Sequence, residues 1–320
     1  MRLSLIADIG GTNARFALWD GNRPIQVEVL APGDFQHPAD AVRHYLDRVN
    51  RSLDDLDAVC LACAGPVHGD AFRFTNNAWS LSRREFCEDL GLKEFMLIND
   101  FAAQAMGMSR IEPHERRDVR TGFAEAHQPI LVMGPGTGLG VATLLCLPNG
   151  RWKALPGEGG HVDLPIDTPL EAQLWGALHS RFGHVSAEHA LSGSGLLNLY
   201  RAFCEVEGCT ATYTDPSQIT EAALAGNAMA CRVIEQFCVF LGRAAGNNVL
   251  TLGARGGVFI TGGVIPRIAD MFCQSGFNAA FADKGQMSDF FDGIPVWLVT
   301  AGHPGLVGAG VALQQRLDEL

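Results

Sequence analysis

The chain has 320 residues, which at about 150 residues per domain predicts two domains. Hydrophobic residues make up 47% of it and charged residues 18%, a globular composition that excludes disordered and collagen-like chains. Lys and Arg number 24 against 35 Asp and Glu, and the net charge of −11 argues against a nucleic-acid ligand held through its phosphates.

Short apolar runs separated by turns predict strands in the first third of the chain. They lie at Leu3–Ala7, Arg15–Trp19, Val27–Leu30, Ala58–Ala62, Ala71–Phe74 and Phe95–Ile98. Apolar residues at helical spacing predict a helix over Ala39–Val49, and a second helix is expected over Phe101–Met108, directly after Asp100. The charged segment from Arg110 to Arg120 then predicts a domain boundary.

The rest of the chain repeats the order of strands followed by helices. Strands are expected at Ile130–Met133, Val141–Leu147, Val258–Thr261 and Val296–Val299, and helices over about 168–182, 194–206, 217–225, 227–251 and 305–318. Because this order occurs twice, it predicts an α/β protein of two similar lobes.

The nine cysteines, an odd number, predict reduced thiols in a cytosolic setting. Cys60 and Cys63 have the spacing of metal ligands, but they lie in an apolar run without a second pair, so no zinc site is expected. Asp8 interrupts the first apolar run too early for a signal peptide, and glycine and proline break up residues 294–315. We therefore expect a soluble, cytoplasmic protein without a membrane span.

Glycine is concentrated in patches, where the backbone can approach a ligand closely. Gly10 and Gly11 lie between two predicted strands, so their N–H groups can face an anion. A plain tight hairpin would explain two glycines alone. The added polar residues favour a phosphate site, in which Asp8 holds hydrated Mg²⁺ and Thr12 and Asn13 donate to phosphate oxygens.

Gly134–Gly140 forms a second glycine patch between strands. The spacing of a dinucleotide fingerprint is absent and a strand follows, and no Gly-Lys-Ser/Thr follows any glycine loop, so neither a Rossmann site nor a P-loop is expected. A third patch ends in Gly262 and Gly263. It is either a plain strand–helix turn or a flat surface for a purine ring.

One single residue and two pairs of polar residues remain as candidates for chemistry. Asp100 follows a strand and opens a helix, where it suits either a catalytic base in phosphoryl transfer or a helix N-cap. Glu158 and His161 occupy a glycine-rich loop, and His184 and Glu188 have the spacing of one helix face. Each of these pairs would also suit a structural role.

Five motifs in order along the chain resemble the bacterial glucokinases. They are Asp8–Arg15, Phe95–Asp100, Gly134–Gly140, Leu155–Asp163 and His184–His189. The resemblance is to the branch without the Cys-rich zinc motif of the repressor and sugar-kinase (ROK) family, within the actin–hexokinase–Hsp70 ATPase superfamily. It implies a two-lobed actin/hexokinase-like (ribonuclease H-like) α/β fold with a nucleotide and sugar cleft between the lobes.

The resemblance also implies an activity, the ATP-dependent phosphorylation of D-glucose to glucose 6-phosphate. Asp100 would be the general base, and Asn99, Glu158, His161 and Glu188 would bind the sugar. ATP would be bound by Asp8, Gly10, Gly11, Thr12, Asn13, Gly136, Thr137, Gly138, Gly262 and Gly263. MgATP would be the co-substrate, with no dedicated metal site beyond Asp8, no organic prosthetic group, no nucleic acid and a homodimeric assembly.

The expected domains are residues 1–111 with 301–320, a small domain, and residues 112–300, a large one. Three alternatives remain: a kinase for another hexose such as mannose, fructose or N-acetylglucosamine, a non-catalytic sugar-sensing protein, and an actin-like polymer. A sugar-responsive regulator would need a DNA-binding extension, for which a first strand at Leu3 leaves no room. An actin-like polymer would not explain why Glu158, His161 and Glu188 are present, because it binds no sugar.

Overall fold

A computed structural model describes residues 3–65, 67, 69–74 and 77–320. The strands are β1 (Leu3–Ile9), β2 (Ala14–Trp19), β3 (Pro24–Leu30), β4 (Leu56–Cys63), β5 (Ala71–Arg73), β6 (Ser80–Ser82), β7 (Glu94–Asn99), β8 (Arg116–Arg120), β9 (Ile130–Pro135), β10 (Leu139–Cys146), β11 (Trp152–Gly157), β12 (Val258–Ile260) and β13 (Val296–Val299). The helices are α1 (Pro38–Arg48), α2 (Arg83–Leu90), α3 (Asp100–Gly107), α4 (Pro169–Phe182), α5 (Gly193–Glu207), α6 (Pro216–Leu224), α7 (Ala228–Leu252), α8 (Ala269–Gln274), α9 (Phe277–Ala282) and α10 (Pro304–Leu317).

The chain divides into two compact units. Unit 1 comprises Met1–Ile111, Asn149–Pro156 and Ala301–Leu320, and unit 2 comprises Glu112–Pro148 and Gly157–Thr300. The division falls at 111/112 and 300/301, as in the domains expected from the sequence, except that residues 149–156 join unit 1.

The sequence predicts that residues 149–156 belong to the larger domain, but they belong to unit 1. Trp152 N–H donates to Gln315 Oε1 at 2.7 Å, and Gln315 Nε2 donates back to Trp152 O at 2.9 Å. Arg151 Nη2 donates to Gln315 O at 3.2 Å, and Arg151 forms an ion pair with Glu319. These bonds hold the segment against the last helix, a contact between residues more than 160 positions apart that no local pattern predicts.

Unit 1 is built on a sheet with the strand order β3-β2-β1-β4-β7. β1, β4 and β7 run parallel, β2 pairs antiparallel with β1, and β3 pairs antiparallel with β2. β4 is buried almost throughout and includes Cys60 and Cys63, which are core residues as predicted. One face of α1, with Val42, Tyr45 and Leu46, packs into the same core.

Two glycines let α10 lie close against α3. A Cβ at Gly308 would collide with the carbonyl oxygen of Ala103, and a Cβ at Gly107 would collide with that of Pro304. Both obstacles are backbone atoms, which cannot rotate away as a side chain can. Because α3 begins at Asp100, this contact fixes the helix that carries that residue.

The close contact makes a stability prediction. Gly308→Ala should lower the free energy of unfolding by at least about 1–3 kcal/mol, because an overpacked interface must move its backbones apart. Urea denaturation measures the change. Gly302→Ala is the matched control, since a Cβ at Gly302 would meet no atom within 4 Å. Equal stabilities for the two variants would show that the helices separate without cost.

Unit 2 contains the strand order β10-β9-β12-β13-β8. β9, β12 and β13 run parallel, and β10 pairs antiparallel with β9 at one side of the sheet. Unit 1 has the same arrangement, in which β1, β4 and β7 run parallel and β2 pairs antiparallel with β1. This topology confirms an α/β chain of two similarly built halves. The core lies between this sheet and the long, largely buried α7, where Phe237 and Phe240 pack.

Among the described residues no single helix is long and apolar enough to span a membrane, although α6 and α7 together, bent by 109°, have the length and composition of a span.

The charged segment predicted as a boundary contains a strand, β8, which pairs with β13 at the edge of the sheet. There the Arg116 guanidinium lies 4.2 Å from the Trp297 ring centroid. Edge strands accept charged residues because one side remains in water.

Candidate active site

The first glycine patch is the tip of the β1–β2 hairpin. Gly10 N–H donates to Asn13 O at 3.0 Å, and a Cβ on Gly10 would lie 2.8 Å from that oxygen, so the turn requires glycine. Gly11, Thr12 and Asn13 are exposed at the tip. This part of unit 1 can therefore present backbone N–H groups and two polar side chains to a ligand.

Asp8 lies at the base of this hairpin, opposite Arg15 in the strand register. Arg15 Nη1 is 3.9 Å from Asp8 Oδ2. Burial raises the pKa of Asp8 from 3.8 to about 6, an effect that Arg15 opposes and the nearby charge of Asp100 reinforces. At neutral pH the Asp8 side chain is thus mostly an ionised carboxylate, which suits a water-bridged contact to a divalent cation.

Asn99 and Asp100 lie at the junction of β7 and α3. Asn99 is the helix N-cap: its Oδ1 accepts from Ala102 N–H at 2.9 Å, and its Nδ2 donates to Gly65 O at 3.3 Å. Asp100 is the first helical residue, and its Oδ1 accepts from Phe101 N–H at 2.8 Å. The alternative in which Asp100 serves as the N-cap is therefore wrong, because Asn99 has that role.

The second glycine patch is the tip of the β9–β10 hairpin in unit 2. Gly136 N–H donates to Gly138 O at 2.8 Å and closes the turn. Gly136 and Gly138 are partly exposed and Thr137 is exposed, so the tip can receive a ligand.

The third glycine patch packs against the base of the same hairpin. Gly262 has φ +88° and lies against Pro135, where a Cβ would collide with the carbonyl oxygen. Val264 N–H donates to Pro135 O at 3.2 Å. Gly263 is exposed. Two patches that are more than 120 residues apart in sequence thus form one glycine-rich surface.

Glu158 and His161 flank a short 3-10 turn after β11. His161 N–H donates to Glu158 O at 3.0 Å. Gly159 and Gly160 lie close against β10: a Cβ on Gly159 would lie 2.9 Å from the Val141 side chain. The glycines let the turn pack on the strand, which leaves the Glu158 and His161 side chains exposed.

Glu188 lies in another 3-10 turn, Ala187–His189, and is half-buried. Its Oε2 accepts from Leu139 N–H at 2.7 Å, directly after the glycine hairpin. Ala187 N–H donates to Val162 O at 2.8 Å, which joins this turn to the Glu158–His161 loop. Unit 2 therefore brings the second glycine hairpin and the loops with Glu158, His161 and Glu188 together.

The expectation that His184 and Glu188 share a helix face is wrong. α4 ends before Gly183, whose φ is +71°, and Ser186 forms an isolated bridge with Asp163. Because the backbone between the two residues is extended, a separation of four no longer brings the side chains together. His184 Nδ1 instead lies 3.5 Å from Asp163 Oδ1, and both side chains are exposed.

Arg15 and His303 are not among the site residues expected from the sequence. Arg15 is the counter-charge of the Asp8 carboxylate, and its position within the first motif was the available signal. His303, with φ +59°, starts α10; its burial and the Arg15 charge lower its pKa. The interaction with Arg15 joins positions far apart in sequence, so no local pattern signals it.

The chain is similar to known proteins over nearly its whole length. A model of the glucokinase family matches residues 5–316. A glucokinase of Pseudomonas aeruginosa (strain LESB58) is 53% identical over 317 residues, covering 99% of this chain and 96% of that relative. The crystal structure of a glucokinase from an Antarctic psychrotroph has a TM-score of 0.88 at 36% identity, covering 98% of this chain and 99% of the other.

A more distant likeness shows the fold alone. A glucokinase from Balamuthia mandrillaris, solved in complex with glucose, has a TM-score of 0.77 at 22% identity and covers 98% of this chain and 94% of its own. Family membership rests instead on the family model and on the relative that is 53% identical over nearly all of both chains. The chain therefore belongs to the glucokinase family.

Proposed function

We propose that the chain phosphorylates D-glucose with ATP and forms glucose 6-phosphate at the entry to glycolysis. The observation that carries this function is the match to glucokinases over the full length of the chain. Asp100, which does not serve as the helix cap, is the general base. It takes the proton of the sugar's 6-hydroxyl while that oxygen bonds to the γ-phosphorus in line, and the bond from that phosphorus to ADP breaks.

The sugar is bound by Asn99, Glu158, His161 and Glu188. Carboxylates accept hydrogen bonds from hydroxyl groups, while the amide and imidazole can donate as well as accept. Glu158 and His161 are exposed side chains on a turn that a backbone hydrogen bond closes, so they are accessible to these partners. A pocket of this kind rejects sugars that lack a hydroxyl, because its polar groups would remain unpaired.

MgATP is the co-substrate. The N–H groups and side chains of Gly10–Asn13 and Gly136–Gly138 hold the phosphates, and Gly262 and Gly263 supply the surface for adenine. Magnesium in such sites keeps several waters and binds through one or two carboxylates and the phosphates. Asp8 is the carboxylate that fits this role, since it lies at the base of the first glycine hairpin.

We further propose the fold family, the oligomeric state and the cellular location of the protein. The two units correspond to the lobes of an actin/hexokinase-like fold of the branch without the ROK zinc motif. The two sheets are built alike, with parallel central strands beside an antiparallel hairpin, and this likeness supports the assignment. We propose a homodimer in the cytoplasm, which light scattering during size-exclusion chromatography and cell fractionation test.

The experiment that tests the function is ADP release with glucose and, separately, with mannose, fructose and N-acetylglucosamine. The proposal requires kcat/KM to be highest for glucose. A higher kcat/KM for another hexose would identify a kinase for that sugar. Glucose binding without ADP release would identify a sugar-sensing protein of the same fold.

The sugar pocket makes a separate prediction. Glu158→Gln and His161→Ala should each raise the KM for glucose about 10–100-fold, as expected when a hydrogen bond to a charged or polar partner is lost, and should leave the KM for ATP within a factor of three. Initial-rate kinetics with each substrate varied in turn measure both constants. A change confined to the KM for ATP would mean that the pocket lies elsewhere.

A further inference from the structure

The Glu188 carboxylate lies directly against the second glycine hairpin. Its Oε2 accepts from Leu139 N–H at 2.7 Å, and a Cβ added to Gly138 would collide with the same oxygen. Its other oxygen, Oε1, makes no hydrogen bond to any residue that the structure describes. One carboxylate therefore has one oxygen on the hairpin and one available to another partner.

The segment that carries Glu188 is itself fixed. Ser192 is fully buried, and its Oγ donates to Glu188 O at 2.9 Å and accepts from Gly195 N–H at 2.9 Å. Gly193 N–H donates to Gly136 O at 2.8 Å, which ties the same segment to the hairpin a second time. Because the backbone of Glu188 is held, its side chain can restrain the hairpin rather than follow it.

We propose that Glu188 is the positioning residue of the phosphate-binding hairpin as well as a sugar ligand. Oε2 holds the N–H of Leu139 and so fixes the residues that enclose the phosphates, while Oε1 takes a sugar hydroxyl. This proposal rests on the proposed function, which supplies both ligands. As a consequence, removing the Glu188 carboxylate should lower the affinity for nucleotide even when no sugar is bound.

Two substitutions at Glu188 separate its two roles. Glutamine keeps one carbonyl oxygen for Leu139 N–H but presents an amide in place of the second oxygen, so it retains the hairpin bond and alters the sugar contact. Alanine removes both, and it leaves the Leu139 N–H without its partner in a half-buried site. Losing such a partner corresponds to roughly a tenfold change in an equilibrium.

The test is calorimetric binding of AMPPNP with Mg²⁺ in the absence of any sugar. We expect Glu188→Ala to bind AMPPNP about tenfold more weakly than wild type, and Glu188→Gln to bind it within a factor of three of wild type. Glu158→Ala is the matched control for removal of a proposed sugar carboxylate, since the Glu158 side chain makes no hydrogen bond to the described part of the chain. It should bind AMPPNP as wild type does. Wild-type affinity in Glu188→Ala would overturn the proposal.

A second pair of variants tests the same contact from the hairpin side and does not require Glu188→Ala to fold. Gly138→Ala places a Cβ against Glu188 Oε2, whereas a Cβ at Gly136 meets no atom within 4 Å. Neither glycine has a positive φ, so alanine fits both backbones. With nucleotide absent, glucose should bind about tenfold more weakly to Gly138→Ala than to Gly136→Ala, and equal glucose affinities would contradict the proposal.

The outcomes also separate this proposal from the function on which it rests. A wild-type chain that binds AMPPNP but phosphorylates no hexose would refute the proposed function. The AMPPNP affinities of Glu188→Ala and Glu188→Gln would still decide whether the carboxylate positions the hairpin.

Discussion

Replacing Asp100 by alanine should lower kcat for glucose phosphorylation by about 10²–10⁴-fold, the usual contribution of a general base. Glucose affinity should stay within a few-fold of wild type, because the other proposed sugar ligands remain. Steady-state kinetics gives kcat, and calorimetric titration with glucose in the absence of ATP gives the affinity. Near-normal turnover in this variant would remove Asp100 from the mechanism.

A helix-capping control separates chemistry from folding. Asn99, not Asp100, accepts from Ala102 N–H and caps α3. Asn99→Ala should therefore cost about 1 kcal/mol of stability, whereas Asp100→Ala keeps this cap in place. If Asp100→Ala instead unfolded at much lower temperature than Asn99→Ala, its loss of activity would be structural.

Replacing Asp8 by asparagine should stabilise the protein at neutral pH while it impairs turnover. Burial raises the pKa of Asp8 from 3.8 to about 6, so the folded state holds its proton more tightly than the unfolded state does. Between these two pH values, stability therefore falls as pH rises, by up to about 3 kcal/mol. Asparagine carries no charge to desolvate and avoids this loss, although it also gives up the ion pair with Arg15.

The measurement is the free energy of unfolding of wild type and Asp8→Asn from pH 4 to pH 8. The difference should be small at pH 4, grow through pH 6 in favour of the variant, and level off above pH 7 at no more than about 3 kcal/mol. Asp34→Asn, at an exposed carboxylate, is the control and should show no such growth. A variant that loses stability relative to wild type as pH rises would mean that Asp8 is stabilised as a charged group.

Local patterns predicted the parts of the fold that depend on neighbours in sequence. The β1–β2 hairpin is confirmed, and its Gly10 turn cannot accept a Cβ; the strand ending at Asn99 and the helix starting at Asp100 are also confirmed. Glycine turns and strand–helix junctions leave such signals because the backbone conformation itself restricts the residue type. The roles of the site residues stay predictions that the experiments above test.

Features that depend on distant contacts were not predictable. Residues 149–156 join unit 1 through hydrogen bonds between Trp152 and Gln315. The spacing of His184 and Glu188 fits a helix, but Leu164 N–H donates to Val185 O and holds that segment extended. β8 is a strand although it is rich in charge, because its pairing with β13 at a sheet edge determines its conformation. In each case a partner far along the chain outweighs the local preference.

The packing of α10 on α3 has a consequence for biosynthesis. Residues 301–320 are made after all of unit 2, yet they complete unit 1, whose first strand, β1, is made before unit 2. Domains fold as units during synthesis, so unit 1 cannot complete its fold until this late segment with α10 has been made. A nascent chain arrested near residue 300 should therefore expose the α3 surface around Ala103 and Gly107, and it should be there that chaperones and proteases act first.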